Sequence, residues 1–152
     1  MGVFVRPTAR HEVGEAARIV AEGTLAHDAE HPEREEDYWS AVLETRAHDG
    51  EVLVAIEGDV VLGVCQVIVF RHFQNTGGRC AELESVYVRA ERRGEGIGAL
   101  MLERAEGFAR EAGCYRVQLT SRLVRTDAHR FYLAHGYVQA SLGFRKSLVD
   151  LA

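Results

Sequence analysis

Three glycines occupy positions 94, 96 and 98, directly after an apolar stretch and a pair of arginines. The segment from Val86 to Leu100 reads VYVRAERRGEGIGAL. Glycine allows a tight turn and lets backbone N–H groups approach a ligand without Cβ atoms in the way. A helix that follows such a turn presents its unpaired N–H groups and its positive dipole end at the same point. The spacing therefore predicts a phosphate-binding loop, and we call residues 93–98 the glycine loop.

The six residues 94–99 match the fingerprint G-x-G-x-x-G/A of dinucleotide-binding proteins. In those proteins the loop follows the first strand of a parallel sheet, and an acidic residue about 20 positions on binds the ribose. Here three hairpin-linked strands precede the loop, and the strand at 115–121 ends without a carboxylate. A Walker A loop is excluded because no Gly-Lys-Ser/Thr occurs. A dinucleotide-binding module and a glycine turn without a ligand remain as alternatives.

The composition predicts one domain over residues 1–152. The chain has 152 residues, 47% of them hydrophobic, and a formal net charge of -5, and domains of this size are common. An acidic chain is unlike nucleic-acid-binding proteins, which carry basic patches, and the charge favours cationic partners. The three cysteines form no close pair, so neither a disulfide framework nor a zinc site is expected. Since no secretory signal or membrane-length apolar run occurs, we expect a soluble cytoplasmic protein that does not bind membranes.

Periodicity and turn signals predict the order of the elements. A strand stops at Pro7, Thr8 caps a helix that extends to about residue 26, and a second helix runs from near Pro32 to before Gly50. Strands at 51–56, 60–73 and 82–88 follow as an antiparallel set. The remaining predicted elements are a helix from Ile97 to Gly113, a strand at 115–120, a helix at 127–135, and a final hairpin at 137–140 and 144–148.

This order resembles the GNAT superfamily of N-acyltransferases over nearly the whole chain. Two stretches carry the resemblance: RRGEGIG at 92–98 behind Val86-Tyr87-Val88, and DAHRFYLAHGY at 127–137. The second is similar to the family stretch Ala-x-x-x-Tyr-x-x-x-Gly-Phe/Tyr. The resemblance implies a mixed α/β (α+β) fold, with a mostly antiparallel, twisted sheet and helices on both faces. It also implies that the sheet splays at an acetyl-CoA slot, between the strand before the glycine loop and the next strand.

Acetyl-CoA is the cofactor that the resemblance implies. Backbone N–H groups of the glycine loop would hold its pyrophosphate, two arginines would add positive charge, and Val86 and Val88 would line the pantetheine arm. The implied cofactor-binding residues are Val86, Tyr87, Val88, Arg92, Arg93, Gly94, Glu95, Gly96, Ile97, Gly98 and Ala99.

An amine that attacks the thioester needs a group to take its proton, and a carboxylate can do so directly or through water. Strand alternation predicts Glu82 and Glu84 on one face together with Val86 and Val88. Following the family pattern we favour Glu84 over Glu82 as this base, and a plain surface pair of carboxylates is the alternative. A backbone N–H near Val86 or Tyr87 would bind the developing oxyanion.

Tyr132 matches the family tyrosine near the cofactor sulfur and is the expected acid for the thiolate. Its alternative role is packing of the short helix against the sheet. His27 and His31 have a metal-capable spacing, but Pro32 and the lack of a third ligand argue against a metal, and none is expected.

The resemblance predicts an N-acetyltransferase that moves an acetyl group from acetyl-CoA directly to a primary amine. The acceptor is unidentified and is a small molecule or a protein lysine. Acidic residues at the start of the second helix suit either the helix dipole or a cationic acceptor: Glu30, Glu33, Glu35, Glu36 and Asp37. The alternatives are another acyl donor and a non-catalytic acetyl-CoA-binding sensor or interaction subunit. Homodimers are common in the family, so a homodimer is one expected assembly.

Overall fold

The structure is a computed structural model that describes residues 2–149. Short 3-10 turns lie at Arg10–Glu12, His27–Ala29 and Ala90–Arg92. The helices and strands are β1 (Phe4–Pro7), α1 (Val13–Gly23), α2 (Glu35–Ala47), β2 (Glu51–Glu57), β3 (Val60–Arg71), α3 (Gln74–Gly77), β4 (Arg79–Val88), α4 (Ile97–Glu111), β5 (Cys114–Gln118) and α5 (Thr126–Ala134).

The chain divides into two compact units, one that ends at Leu119 and one that begins at Thr120. The first unit contains the whole sheet, and the second contains α5. The prediction of one domain over residues 1–152 stays a prediction.

The sheet has five strands in the order β1-β2-β3-β4-β5. The first four strands are antiparallel to their neighbours, and β4 pairs with β5 in parallel. The predicted antiparallel set of three strands corresponds to β2, β3 and β4. The two-residue turn after Glu57 contains Gly58 at φ 60°, a backbone conformation that glycine adopts without strain. The predicted fold class, mixed α/β with a mostly antiparallel sheet, is confirmed.

Helices cover both faces of this sheet. On one face, α1 and α2 contribute Ile19 and Val42 to a buried cluster with Val54 and Val64. On the other face, α4 contributes Ile97 and Met101 to a cluster with Ala55 and Leu62. Because β2 and β3 are covered on both sides, their sequences are nearly continuous apolar runs rather than alternating ones. We call these the α1/α2 face and the α4 face.

Strand β5 pairs with only the first part of β4. The paired residues of β4 are Arg79–Glu82, opposite Cys114–Gln118. Within the first unit, the rest of β4, residues 83–88, pairs with β3 alone. This end of the pairing fits the predicted splay between the two strands, and within the first unit it leaves one edge of residues 83–88 without a strand partner.

Two predicted helix starts are wrong. Thr8 is buried and does not cap a helix. Instead the side chain of Glu12 reaches back and accepts a hydrogen bond from the Ala9 N–H at 2.7 Å. Arg6 fixes that carboxylate with a second bond of 2.7 Å. The second helix begins at Glu35, since the preceding residue, Arg34, has a non-helical backbone.

The predicted C-terminal hairpin is also wrong. Among the described residues of the second unit, none from 135 to 149 is in a strand. Apolar residues recur there as in a strand, but Val138, Leu142 and Phe144 are 81%, 71% and 91% exposed. A two-stranded hairpin without a buried face is only marginally stable in water. The alternation of apolar and polar residues at 137–148 therefore does not lead to strands here.

The longest helix, α4, has 15 residues, whereas a membrane-spanning helix needs about 20. Among residues 2–149 no helix has both the length and the apolar character to cross a membrane.

Candidate active site

A β-bulge interrupts β4 near its C-terminal end. The register pairs Gln66 of β3 with Glu84 and pairs Val64 with Tyr87. Cys65 of β3 therefore faces two residues of β4, which are Ser85 and Val86. Ser85 has φ 53°, a left-handed conformation that is uncommon for residues other than glycine. An extra residue of this kind bends a strand and changes the direction of the side chains beyond it.

Contacts beyond the bulge show which side chain lies on which face. Tyr87 packs with the core cluster of the α1/α2 face. Val86 and Val88 pack with the cluster of the α4 face. The bulge therefore sends Tyr87 toward α1 and α2, and both valines toward α4.

Glu84, before the bulge, lies on the α1/α2 face. Its pairing partner is Gln66, whose side-chain amide donates to the Thr45 hydroxyl of α2 at 3.0 Å. Glu82, two residues earlier, shares this face. The prediction that both glutamates lie on one face with Val86 and Val88 is therefore wrong, because the bulge reverses the alternation between residues 84 and 86.

The two glutamates have different surroundings. Glu82 accepts a hydrogen bond of 3.3 Å from the Gln118 amide of β5, where β4 and β5 still pair. Glu84 keeps solvent contact, yet burial raises the pKa of its carboxyl, and the nearby charge of Glu82 raises it further. A carboxylate with a raised pKa is a stronger base at neutral pH. The role of Glu84 as the base stays a prediction.

The glycine loop presents open backbone at the start of α4. Gly94 and Gly96 both have φ 83°, and a Cβ atom built on either would meet nothing within 4 Å. Among residues 2–149, no side chain caps the start of α4. The first hydrogen bond of the helix joins the Leu100 N–H to the Gly96 carbonyl. The N–H groups of Ile97, Gly98 and Ala99 precede that first intrahelical bond. The loop therefore offers several backbone donors and a positive dipole end to an anion.

The two neighbouring arginines, Arg92 just before the glycine loop and Arg93 at its start, differ in their contacts. Arg92 donates to Glu95 at 2.8 Å and to Glu57 at 3.2 Å. Bonds to these carboxylates raise the pKa of the Arg92 guanidinium. Arg93 is exposed, and its Nε donates to the Val88 carbonyl at 3.3 Å. The sequence predicted the same cofactor-binding role for both residues, and it showed neither ion pair of Arg92.

Arg89 connects the end of β4 to α1, and sequence reasoning missed it. Its side chain is 21% exposed and donates to the Val61 carbonyl at 2.6 Å and to Glu15 at 2.5 Å. The bond from Arg89 lowers the pKa of the Glu15 carboxyl. These partners lie 28 and 74 residues away in sequence, so no local pattern could have indicated them.

Gly23, the last residue of α1, is the second residue that sequence reasoning missed. A Cβ atom built on Gly23 would lie 2.4 Å from Cδ1 of Tyr87, a distance far below van der Waals contact. The aromatic ring therefore lies against the α1 backbone, on the same face as Glu84. A glycine at the end of a helix usually indicates only that the helix terminates there. The sequence therefore does not show that Gly23 makes room for the Tyr87 ring.

Tyr132 lies on α5 in the second unit. Its ring makes edge-to-face contacts with Phe131 and Tyr137, at centroid distances of 5.4 and 5.8 Å. Its carbonyl accepts the Tyr137 N–H at 3.1 Å, at the end of α5. These contacts lie within the second unit, so packing of the helix against the sheet and the role as an acid both stay predictions.

The acidic residues at the start of α2 are largely paired with arginines. Arg10 forms ion pairs with Glu35 and Glu36, and Arg34 pairs with Asp37 at 2.6 Å. Glu30 accepts a hydrogen bond of 3.1 Å from the Tyr38 hydroxyl. The two arginines therefore offset two of the five negative charges, and the acidic cluster keeps a net negative charge.

The sequence pattern of the Acetyltransferase (GNAT) family matches residues 17–137. Aminoalkylphosphonate N-acetyltransferase of Salmonella typhimurium is 34% identical over 95 residues, which cover 62% of this chain and 61% of that protein. Glucosamine 6-phosphate N-acetyltransferase 1 of rice (Oryza sativa) is 30% identical over 115 residues, which cover 73% and 68%. The matched stretch thus spans less than two thirds of the Salmonella relative.

Two solved structures have the same fold. A transcriptional regulator from Bacillus halodurans superimposes with a TM-score of 0.89 at 27% identity, over 97% of this chain and all of that one. Glucosamine-6-phosphate N-acetyltransferase from Arabidopsis thaliana superimposes with a TM-score of 0.79 at 17% identity, over 98% of this chain and all of that one. The second similarity, at low identity, concerns the fold alone.

Proposed function

The chain belongs to the acetyltransferase (GNAT) family, and we propose that it transfers an acetyl group from acetyl-CoA directly to a primary amine. Curated relatives are N-acetyltransferases, so N-acetyl transfer is the activity at the level of the family. The donor, the acceptor and the residue roles given below belong to the proposal.

The observation that carries the proposal is the arrangement along β4. One strand has a carboxylate of raised pKa at Glu84, a bulge at Ser85, an edge without a β5 partner over 83–88, and the glycine loop at its end. A long ligand with an anionic end and a reactive end could follow this edge. Acetyl-CoA has a pyrophosphate for the loop, an extended pantetheine arm, and a thioester carbonyl that an amine can attack.

The open backbone of the glycine loop fits the pyrophosphate of this cofactor. In the proposal, N–H groups from Arg93 to Ala99 bind the phosphate oxygens, and the exposed Arg93 adds a positive charge. Val86, Tyr87 and Val88 contribute their backbone to the pantetheine arm along the open edge of β4. In this proposal, Arg92 keeps its ion pairs with Glu57 and Glu95 and does not contact the cofactor.

The proposed roles in proton transfer follow from the two faces of β4. Glu84 takes the proton of the attacking amine, directly or through one water molecule. Its face is that of α1 and α2, so the acceptor would approach from that side. A backbone N–H of the bulged segment, at Val86 or Tyr87, stabilises the developing oxyanion. Glu82 keeps the pKa of Glu84 high through its charge, and Tyr132 protonates the leaving thiolate.

We propose a small amine as the acceptor. The names of the Salmonella and rice relatives identify amines that carry a phosphonate or a phosphate, and such amines come first in a screen. A polycationic acceptor bound at the acidic start of α2 is less favoured, since Arg10 and Arg34 already offset two of the three negative charges of Glu35, Glu36 and Asp37.

Calorimetric titration with acetyl-CoA, with NAD and ATP as controls, tests the donor. The proposal expects binding of acetyl-CoA and none of either control. An amine screen then follows the release of CoA and detects the acetylated product by mass spectrometry. Tight binding without transfer to any amine would instead support an acetyl-CoA sensor or interaction subunit. No binding would remove the basis of the catalytic assignments.

A further inference from the structure

Arg92 joins the glycine loop to a distant hairpin. Its guanidinium donates through Nε to Glu95 and through Nη1 to Glu57. Glu95 lies between Gly94 and Gly96, inside the loop. Glu57 is the last residue of β2, 35 positions before Arg92 in sequence. The side chains of Arg92 and Glu57 are only 27% and 32% exposed, so this ion pair is partly sheltered from solvent.

We propose that Arg92 is a positioning residue, which fixes the glycine loop to the β2–β3 hairpin through Glu95 and Glu57. The inference rests on the proposed use of acetyl-CoA. It separates two neighbouring arginines that the sequence assigns to one task.

The existing contacts of Arg92 argue against a direct role in phosphate binding. A phosphate at this guanidinium would have to displace Glu57 and Glu95, and it would then lie beside two uncompensated carboxylates. The side chain of Arg93 is exposed and makes a single described bond, of 3.3 Å, to the Val88 carbonyl. Arg93 can therefore turn toward an anion without breaking an ion pair.

The loop needs such an anchor because of its glycines. Gly94 and Gly96 have open space around them and can adopt many backbone conformations. A loop that holds its N–H groups in the binding arrangement for only a fraction of the time binds its ligand more weakly by that fraction. An ion pair from Glu95 through Arg92 to Glu57 increases the fraction.

The substitution Glu57→Gln distinguishes the two roles, because they predict opposite effects. If Arg92 positions the loop, the loss of the Glu57 charge loosens it and weakens acetyl-CoA binding. If Arg92 binds phosphate itself, the same change frees the guanidinium, removes a repelling carboxylate and tightens binding. Asp59→Asn is the matched control. Asp59 is exposed in the same hairpin, and its substitution removes the same negative charge as Glu57→Gln. Within residues 2–149, Asp59 forms no ion pair.

Calorimetry with acetyl-CoA on Glu57→Gln, Asp59→Asn and Arg92→Lys is the first measurement. We expect the Kd of Glu57→Gln to rise about fivefold, the effect of a partly exposed ion pair, and that of Asp59→Asn to stay within about twofold. Lysine cannot bond two carboxylates with a planar fork, so Arg92→Lys should also weaken binding although it keeps the charge. The kcat of Glu57→Gln at saturating acetyl-CoA should stay unchanged, since the bound loop has the same arrangement.

Amide hydrogen exchange of the ligand-free protein is the second measurement. The amide of Leu100, which bonds to the Gly96 carbonyl of the loop, should exchange faster in Glu57→Gln than in the wild type or in Asp59→Asn. Tighter acetyl-CoA binding by Glu57→Gln, or unchanged exchange at this amide, would overturn the positioning role. If the wild type bound no acetyl-CoA, the proposed function would fail, and the exchange experiment would still decide whether Arg92 fixes the loop.

Discussion

Glu84 and Tyr87 lie on the same face of β4 although an odd number of positions separates them. Their partners in β3 are Gln66 and Val64, which are two residues apart, so about 7 Å of strand separates the pairs. A regular strand would place the two side chains on opposite faces. The bulge at Ser85 thus brings a carboxylate and an aromatic ring together next to α1 and α2, where the acceptor amine is proposed to bind.

The substitution Glu84→Gln should reduce kcat by about 10²-fold or more, because it removes the proposed base and keeps the size of the side chain. The Kd for acetyl-CoA, measured by calorimetry, should change by less than about twofold, since that ligand is held by the backbone and by Arg93. Glu103→Gln, an exposed residue of α4, serves as the control and should behave as wild type. Normal turnover by Glu84→Gln would exclude it as the base.

Glu82→Gln should move the acid limb of the pH profile to lower pH. Glu84 accepts a proton only when ionised, so kcat/KM falls as the pH drops through its pKa. The negative charge of Glu82 contributes to raising that pKa, and its removal lowers the pKa. A kcat/KM profile from about pH 5 to 9 would show the shift, whereas an unchanged limb would mean that Glu82 and Glu84 are not coupled.

Tyr132→Phe should reduce kcat by about tenfold and leave the Kd for acetyl-CoA nearly unchanged. This loss is smaller than the usual range for acid catalysis, because a thiol of pKa about 8.5 leaves readily as the anion. Tyr115→Phe is the control, since the Tyr115 hydroxyl bonds to Asn75 at 2.7 Å, within the first unit. Unchanged kcat in Tyr132→Phe, which keeps the ring, would favour a packing role for Tyr132.

Local signals were sufficient for most elements and insufficient for the site. The helix at Ile97 and its end at Gly113 follow from apolar spacing and from a glycine at φ 79°, which are properties of a few adjacent residues. The bulge at Ser85 depends on register with β3, which a single strand does not reveal. The pairing of Arg92 with Glu57 also depends on tertiary structure. The face of Glu84 and the different contacts of Arg92 and Arg93 therefore could not be predicted from the sequence.

The conformation of Ser85 leads to a prediction about stability. Ser85→Gly removes a Cβ atom from a left-handed residue and should stabilise the protein or leave it unchanged, within about 1 kcal/mol. Ser85→Val places a β-branched side chain at φ 53° and should cost about 1–2 kcal/mol. Urea denaturation measures both changes. Stability that follows strand propensity instead, with valine above glycine, would contradict the left-handed geometry of the bulge.

Gly23 and Gly107 provide a matched pair of glycine-to-alanine substitutions in helices. A Cβ atom on Gly107 meets nothing within 4 Å, so Gly107→Ala should stabilise α4 by about 0.5–1 kcal/mol. A Cβ atom on Gly23 would lie 2.4 Å from the Tyr87 ring, so Gly23→Ala must displace the ring or α1 and should destabilise by about 1–3 kcal/mol. Thermal denaturation of both variants measures the difference.

The same pair tests whether Tyr87 shapes the acceptor side of the site. Gly23→Ala should raise the KM for the amine and leave the Kd for acetyl-CoA near that of the wild type, because the displaced ring lies on the α1/α2 face while the cofactor is proposed to follow the backbone edge. Gly107→Ala should change neither constant. Equal effects of Gly23→Ala on both ligands would mean that it disturbs β4 itself, and the ring would then have no separate role in acceptor binding.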